Sequence, residues 1–183
     1  MKIRADGFEF EFPDALEAFV FDEKHKNAPH FHGLSHAMKA VDLVVELPND
    51  TLFIEIKDFH APDDYNFKAA VTDGERTERR QSLNHLRDVL VHKFRDTWLY
   101  RWSERAATIP DKPVRYLCVL TLDNGLLGVV NKELNQALPK GRAGPRWQRE
   151  LAQTCVVLNP QRWNSAFPAW PLRRYPEIEQ TPS

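Results

Sequence analysis

The stretch that decides the fold of this chain reads VDLVVELPNDTLFIEIK and covers residues 41–57. It contains two aliphatic segments separated by the polar letters PND, and this pattern predicts an antiparallel β-hairpin. Asn49 and Asp50 are expected at the tip, because both residue types tolerate the backbone dihedral angles of tight turns. Charged residues interrupt both segments, although charges are rarely buried in a strand unless they are paired or hold a metal ion. The stretch therefore indicates a functional site as well as a fold.

Three charged side chains, those of Asp42, Glu55 and Lys57, are expected on one face of the hairpin. A two-residue tip would place Asp42 opposite Lys57 and Val44 opposite Glu55, and directly opposed residues of antiparallel strands share a face. Glu55 and Lys57 share a face because side chains alternate along a strand. The other face would be aliphatic, lined by Leu43, Val45, Leu47, Ile54 and Ile56.

The two carboxylates of this face suit a divalent cation. Neighbouring carboxylates repel each other unless a cation lies between them, and Mg²⁺ prefers oxygen ligands while it keeps waters for a substrate phosphate. We expect Asp42 and Glu55 to be metal ligands, with the Ile56 carbonyl as a third candidate, and we expect that Mn²⁺ can replace Mg²⁺. Lys57 would orient the attacking water or stabilise the charged transition state of phosphodiester hydrolysis.

The spacing of these residues resembles a known signature. Asp42, a spacer of twelve residues and then Glu55-Ile56-Lys57 on an aliphatic strand are similar to the PD-(D/E)xK nuclease superfamily, the restriction-endonuclease-like phosphodiesterases. The resemblance implies an α/β (α+β) fold with an αβββαβ core, in which helices flank a mixed central sheet. It also implies catalytic roles for the three signature residues. It extends loosely over residues 13–123, and Val41 stands where many members have proline.

A first helix is expected from Pro13 to about Glu23, with a buried stripe of Leu16, Phe19 and Val20. Some members of the resembled superfamily place an additional metal-binding acid on their first helix. Glu17 is the candidate for that role, although most glutamates on helices are simply solvated.

A long helix is predicted from about Arg76 to Glu104, because its apolar residues recur at helical spacing. Lys93 belongs to the buried stripe of this helix. The resemblance implies that the helix after the Glu-x-Lys strand supplies an auxiliary residue to the active site. Lys93 either has that catalytic role or extends its ammonium group to solvent.

The 183 residues suit one domain over residues 1–175, with a core at about 13–123, a C-terminal extension at about 124–175 and a disordered tail at 176–183. The extension combines arginines with tryptophans, as nucleic-acid surfaces do. Its candidate contacts with nucleic acid are Arg142, Arg146 and Arg149. The alternative is that these arginines only keep the face soluble.

Four histidines lie between residues 25 and 36. His36 is nearest in sequence to Asp42 and is a candidate for substrate contact. His30-x-His32 has a spacing that zinc could use, but no cysteine and no second histidine pair completes a ligand pattern. A zinc hydrolase is therefore the weaker alternative.

The function that these patterns predict is a Mg²⁺-dependent nuclease, acting on DNA, of the kind the resemblance associates with bacterial defence or repair. The formal net charge of −1 leaves a second hypothesis open, a non-catalytic nuclease-like subunit that binds nucleic acid or a partner protein. Two separated cysteines and the absence of an apolar run that could span a membrane favour the cytoplasm. A homodimer would suit an enzyme that cuts two strands.

Overall fold

The computed structural model describes residues 1–60, 75–104, 112–138 and 151–175. These residues contain eight strands and three helices. The strands are β1 (Lys2–Ala5), β2 (Phe8–Glu11), β3 (Glu17–Val20), β4 (Leu43–Glu46), β5 (Thr51–Lys57), β6 (Val114–Leu120), β7 (Thr154–Leu158) and β8 (Leu172–Arg174). The helices are α1 (Arg76–Glu104), α2 (Asn124–Ala137) and α3 (Pro160–Ala166).

The larger sheet has five strands in the order β3-β4-β5-β6-β7. Strands β3, β4 and β5 pair with one another in antiparallel fashion, whereas β5, β6 and β7 pair in parallel. Parallel strands need a long crossover, and α1 lies in the segment that connects β5 to β6. The expectation of a mixed sheet with helices is confirmed, and the helix predicted at residues 76–104 is confirmed as α1.

Each face of the larger sheet carries its own apolar layer. On one face, side chains of α1 and α2 pack with β4, β5, β6 and β7, and the layer includes Leu90, Phe94, Tyr116 and Leu127. The opposite layer joins the sheet to a smaller sheet of order β1-β2-β8 and to α3, and includes Phe8, Phe10, Ile54, Trp163 and Leu172. Residues of the predicted C-terminal extension thus contribute strands to both sheets.

The helix predicted at residues 13–23 is wrong, because residues Glu17–Val20 form the edge strand β3 beside β4. Phe19 and Phe21 are buried towards the helices, while Val20 packs against the opposite layer. Side chains that alternate between two faces are typical of a strand, and aromatic and β-branched residues such as those of this segment favour strand conformation. Leu16, expected in a buried stripe, has 61% of its surface exposed.

The β4–β5 hairpin is confirmed, but its predicted register is wrong by two residues. Glu46 pairs with Thr51 and Val44 with Phe53, so Val44 does not oppose Glu55. The connection spans residues 47–50 and is closed by the Leu47 N–H, which donates to the Asp50 carbonyl at 2.8 Å. Pro48 has no N–H for the pairing that a shorter turn would require.

A shift of two residues leaves every side chain on its predicted face, because side chains alternate with a period of two. The predicted aliphatic set, Leu43, Val45, Leu47, Ile54 and Ile56, lies within one apolar layer. Continued by one residue, the observed register brings Asp42 opposite Glu55 rather than Lys57. None of the described helices combines the length and the apolar character that a membrane span requires.

Candidate active site

Four of the predicted site residues converge between the larger sheet and α1. Asp42 directly precedes β4, Glu55 and Lys57 lie near the end of β5, and Lys93 projects from α1. The first three come from one hairpin, whereas Lys93 is brought in by the packing of the helix on the sheet. We call these four residues the carboxylate–lysine cluster.

Two backbone N–H groups in the segment just before β4 donate hydrogen bonds that fix the position of this segment. The N–H of Lys39 donates to Asp96 Oδ2 at 2.9 Å, and the N–H of Val41 donates to Thr97 Oγ1 at 3.0 Å. Both acceptors belong to α1, so the helix that carries Lys93 also positions the residue before Asp42. Thr97 is buried on α1, and its contact with the chain before β4 has no signal in the local sequence.

Asp42 is buried and held through both of its carboxylate oxygens. Its Oδ2 accepts a hydrogen bond of 2.6 Å from the N–H of Ile56, and its Oδ1 lies 3.2 Å from Lys93 Nζ. The backbone of β5 therefore orients the carboxylate towards Lys93. The side chain of Ile56 packs in the opposite layer, and the role of its carbonyl as a metal ligand stays a prediction.

Glu55 is the most deeply buried acid of the cluster, with no exposed surface. Its Oε1 lies 2.9 Å from Lys57 Nζ and 2.9 Å from Lys93 Nζ. Its Oε2 has no hydrogen-bond partner among the described residues. A buried carboxylate oxygen without a partner is costly, so it indicates a group that the protein binds there.

The pKa of Glu55 is raised to about 8, chiefly by burial and also by the nearby charge of Asp42, while Lys93 and Lys57 act in the opposite direction. Burial alone would lower the pKa of Lys93, but the charges of Glu55 and Asp42 outweigh that effect and the pKa is raised. Lys93 is therefore an ammonium ion at neutral pH, and Glu55 is the group of this cluster that exchanges its proton near pH 8.

The two lysines have different access to solvent. The side chain of Lys57 is 34% exposed, whereas that of Lys93 is 11% exposed. Lys93 bridges Asp42 and Glu55 from inside, and Lys57 reaches the same oxygen of Glu55 from the solvent side. Lys57 is thus the positive charge of the cluster that is more accessible from solvent.

The donor set fits a hydrated, hard cation. Two carboxylates, one with an unsatisfied oxygen, supply the oxygen ligands that Mg²⁺ prefers, and Mg²⁺ commonly retains several waters. Over residues 1–60, 75–104, 112–138 and 151–175, no three His, Cys, Asp or Glu side chains are arranged to hold one metal ion together. Water molecules would therefore have to complete the coordination.

Glu17 does not join the cluster. It begins β3 opposite Glu46, at the end of β4 remote from Asp42, and its Oε1 lies 3.6 Å from His30 Nε2. Its expected position depended on a first helix. Because the segment is a strand, Glu17 points outward at the wrong end of the hairpin, and its role as a metal ligand is not supported.

In the described part of the chain, the histidines between residues 25 and 36 form no hydrogen bond or ion pair with the four residues of the cluster. His36 is exposed in the connection between β3 and β4. His30 stacks on Phe19 with ring centroids 4.0 Å apart, and His32 stacks on Phe21 at 5.3 Å, so both rings pack as aromatic groups. The predicted nucleic-acid contacts Arg142, Arg146 and Arg149 lie outside the described residues.

Sequence analysis missed one acid near the cluster, Asp6, which lies in the turn between β1 and β2. Its electrostatic neighbours include Asp42, Lys57 and Lys93. The dipeptide Asp6-Gly7 is a strong signal for a tight hairpin turn. That signal predicts the turn but not the part of the protein against which the turn packs.

Comparison of the chain with protein families, curated proteins and solved structures gave no match. The functional argument therefore depends on the geometry of the cluster and on the signature that its residues resemble.

Proposed function

We propose that this protein is a metal-dependent nuclease that hydrolyses phosphodiester bonds of DNA, with Mg²⁺ as the ion it uses and Mn²⁺ as a substitute. The observation that carries the proposal is that two buried acids, Asp42 and Glu55, lie within ion-pair distance of Lys93, and Glu55 also of Lys57. In addition, Glu55 Oε2 has no hydrogen-bond partner in the described part of the chain. Such a group of acids and lysines has the components that phosphodiester hydrolysis requires.

The order of elements supports the same proposal at the level of the fold. Strands β3, β4 and β5, helix α1 and strand β6 follow each other in the βββαβ order that the resembled superfamily implies. Strand β6 lies parallel to β5, which carries Glu55 and Lys57. The helix that the superfamily pattern places before these strands has no counterpart in residues 1–16, where the smaller sheet begins instead.

Each residue of the cluster has a separate part in the proposed reaction. Asp42 and Glu55 would hold the cation, which when bound supplies an activated water and neutralises charge on the phosphate. Lys57, accessible from solvent, contacts the scissile phosphate and stabilises its developing negative charge. Lys93 keeps the two carboxylates together before the cation binds, because its ammonium group contacts both.

The test is cleavage of supercoiled and linear plasmid DNA with Mg²⁺ or Mn²⁺ by wild type, Asp42→Ala and Lys57→Ala. Glu17→Gln is the matched control, since it neutralises an acid at the other end of the same sheet. We expect wild type and the control to cleave and the two site variants to lose cleavage. Folded wild type that leaves DNA intact with either ion would contradict the proposal.

One observation favours a second candidate, a non-catalytic nuclease-like subunit that binds nucleic acid or a partner protein. The Lys93 ammonium already bridges both carboxylates, and an internal cation of this kind can satisfy an acid pair without a metal. This candidate predicts that wild type binds DNA but neither cleaves it nor binds Mn²⁺. A binding assay run beside the cleavage assay separates the two candidates.

A further inference from the structure

The end of β5 decides where the ammonium group of Lys57 lies. Lys57 is the last residue of β5, and its Nζ lies 2.9 Å from Glu55 Oε1, on the side of the larger sheet that faces α1. Its side chain has a flexible stem of four carbons and is partly exposed, so its own packing restrains it little. The position of the ammonium group therefore depends on how firmly the backbone at the end of β5 is held.

One buried threonine holds this end of β5 through three hydrogen bonds. Thr121, the residue that follows β6, donates its N–H to the carbonyl of Lys57 at 3.1 Å. Its Oγ1 donates to Asp58 Oδ1 at 2.9 Å and accepts from the N–H of Phe59 at 2.7 Å. The pairing of β5 with β6 ends at Lys57, and the contacts of Thr121 extend the connection over residues 57–59.

The carboxylate of Asp58 connects the same point to the smaller sheet. Its Oδ2 accepts a hydrogen bond of 2.6 Å from Nη1 of Arg174 in β8. Its Oδ1 accepts from the N–H of His60 at 3.1 Å as well as from Thr121. Both oxygens of Asp58 thus have partners, whereas Glu55 Oε2 has none in the described residues. Asp58 is therefore suited to support the site and not to bind a cation itself.

The neighbours Lys57 and Asp58 are held from opposite sides of the larger sheet. Lys57 contacts Glu55 on the side of α1, and Asp58 contacts Arg174 on the side of the smaller sheet. Because successive side chains of an extended chain point in opposite directions, the contacts that fix Asp58 also fix the direction in which the side chain of Lys57 leaves the backbone. A displacement of about 1 Å at a reacting group can lower a rate by about 10²-fold, so such a restraint matters for cleavage.

We propose that Thr121 and Asp58 are positioning residues for the nuclease reaction, which hold the end of β5 so that the ammonium group of Lys57 stays beside Glu55. This inference rests on the proposed function. It gives the contact between the two sheets, at Asp58 and Arg174, a part in catalysis that is exerted through Lys57 and without contact to substrate.

The test compares steady-state DNA cleavage by wild type, Thr121→Val, Thr121→Ser and Thr51→Val. Valine keeps the shape of threonine and removes the hydroxyl group, whereas serine keeps the hydroxyl group. Thr51→Val is the matched control, because it removes a buried threonine hydroxyl at the other end of β5, where Thr51 Oγ1 donates to Glu46 Oε2 at 2.8 Å. We expect kcat to fall by about 10- to 100-fold in Thr121→Val, with KM within about threefold, and to stay within about threefold of wild type in the other two variants.

A second readout separates the positioning of Lys57 from general damage to the site. Asp42 and Glu55 are the proposed ligands of the cation, so Thr121→Val should bind Mn²⁺ as tightly as wild type in calorimetric titration at pH 8 while its kcat falls. Asp58→Ala removes the acceptor of the Thr121 hydroxyl and is a second variant, for which the same two results are expected. Thermal unfolding of each variant shows whether the fold is retained.

The outcomes separate this inference from the proposed function. Wild-type kcat in folded Thr121→Val or Asp58→Ala would overturn the positioning role and leave the proposed function standing. A loss of kcat in Thr51→Val or Thr121→Ser as large as that in Thr121→Val would also overturn the inference. Weaker Mn²⁺ binding in Thr121→Val would assign the loss to the cation ligands and would overturn it as well. Wild type that does not cleave DNA would overturn the proposed function and this inference together.

Discussion

Each end of the β4–β5 hairpin carries a cluster of charged residues, and the two clusters differ in whether all the oxygens of their acids have hydrogen-bond partners. At the turn end, Glu46 accepts hydrogen bonds from Thr51 Oγ1 at 2.8 Å and Arg101 Nη2 at 3.1 Å, and Lys112 Nζ lies 3.6 Å away. Both oxygens of this acid are therefore satisfied. At the other end, Asp42 and Glu55 share Lys93, Lys57 contacts only Glu55, and Glu55 Oε2 has no hydrogen-bond partner in the described residues.

Helix α1 supplies a cation to each of these clusters, Lys93 to the carboxylate–lysine cluster and Arg101 to the turn cluster. The Nε of Arg101 lacks a hydrogen-bond partner in the described residues, whereas both carboxylate oxygens of Glu46, which Arg101 contacts, have partners. The comparison shows that a buried ion pair is not by itself a sign of function. A buried cluster with an unsatisfied acid oxygen indicates a binding site, whereas a cluster whose acid oxygens are all satisfied indicates structural support.

The largest expected difference between the two ends concerns catalysis. Asp42→Asn should lower the rate of DNA cleavage by about 10²-fold or more, because it removes a charged ligand at the reacting centre. Glu46→Gln should leave cleavage within about threefold and instead lower the free energy of unfolding by about 1–3 kcal/mol. Plasmid cleavage and urea unfolding of both variants check this. Equal losses of cleavage would show that the two clusters do not differ in function.

The next largest effect concerns the buried cation. Lys93→Met should lower the free energy of unfolding above pH 8 by about 3–5 kcal/mol, because it leaves two buried carboxylates without their shared ammonium group. Lys57→Met, at a partly exposed position, should cost less than about 1 kcal/mol. Urea unfolding with and without Mn²⁺ measures both. Mn²⁺ should restore more stability to Lys93→Met than to wild type, and failure to do so would argue against a cation between the carboxylates.

The pH dependence of the free energy of unfolding should reveal the raised pKa of Glu55. The pKa of Glu55 in the folded protein is raised to about 8, above its ordinary value, so the folded state binds more protons than the unfolded state between about pH 4.5 and pH 8. The stability of wild type relative to Glu55→Gln should therefore fall as pH rises through that window and level off above it. Unfolding of both proteins at several pH values measures this, and parallel stability curves would contradict it.

The same titration should control metal binding. A carboxyl group must lose its proton before it can bind a cation, so Mn²⁺ affinity of wild type should rise from pH 6 to about pH 8, where the pKa of Glu55 lies, and then become constant. Calorimetric titrations across this range measure the affinity. An affinity that does not change with pH would show that Glu55 is not a ligand.

The smallest expected effect is that of Glu17→Gln. Glu17 is exposed and lies at the remote end of β4, so its loss should change the free energy of unfolding by less than about 0.5 kcal/mol and should not change cleavage. Urea unfolding and plasmid cleavage measure this. A loss of cleavage in this variant would restore Glu17 to the site and contradict its observed position.

That the charged residues of the hairpin lie on one face could be predicted from sequence, because the face of a side chain depends on whether its position along the strand is odd or even and not on the exact turn. The predicted register was wrong by two residues, yet Asp42, Glu55 and Lys57 remained on one face, since side chains alternate with a period of two. Lys93 was a candidate from sequence, because it shares the helical spacing of Leu86 and Leu90, which are buried on the same side of α1.

The remaining parts of the site depend on tertiary contacts that local sequence does not specify. Residues 16–21 fit both a helical stripe and a strand alternation, and pairing with β4 decided in favour of the strand. The smaller sheet is completed only because β2 pairs with β8, which lies more than 150 residues further along the chain. Local turn chemistry predicts the Asp6-Gly7 turn, but only the assembled smaller sheet places it.

The most direct test of the difference between the two ends is the change in unfolding temperature that Mn²⁺ causes at pH 8 in wild type, Glu55→Gln and Glu46→Gln. A ligand that binds only the folded state raises the unfolding temperature. We predict that Mn²⁺ raises the unfolding temperature of wild type and Glu46→Gln and leaves that of Glu55→Gln unchanged. No increase in wild type, or the same increase in all three proteins, would contradict a cation site at the carboxylate–lysine cluster.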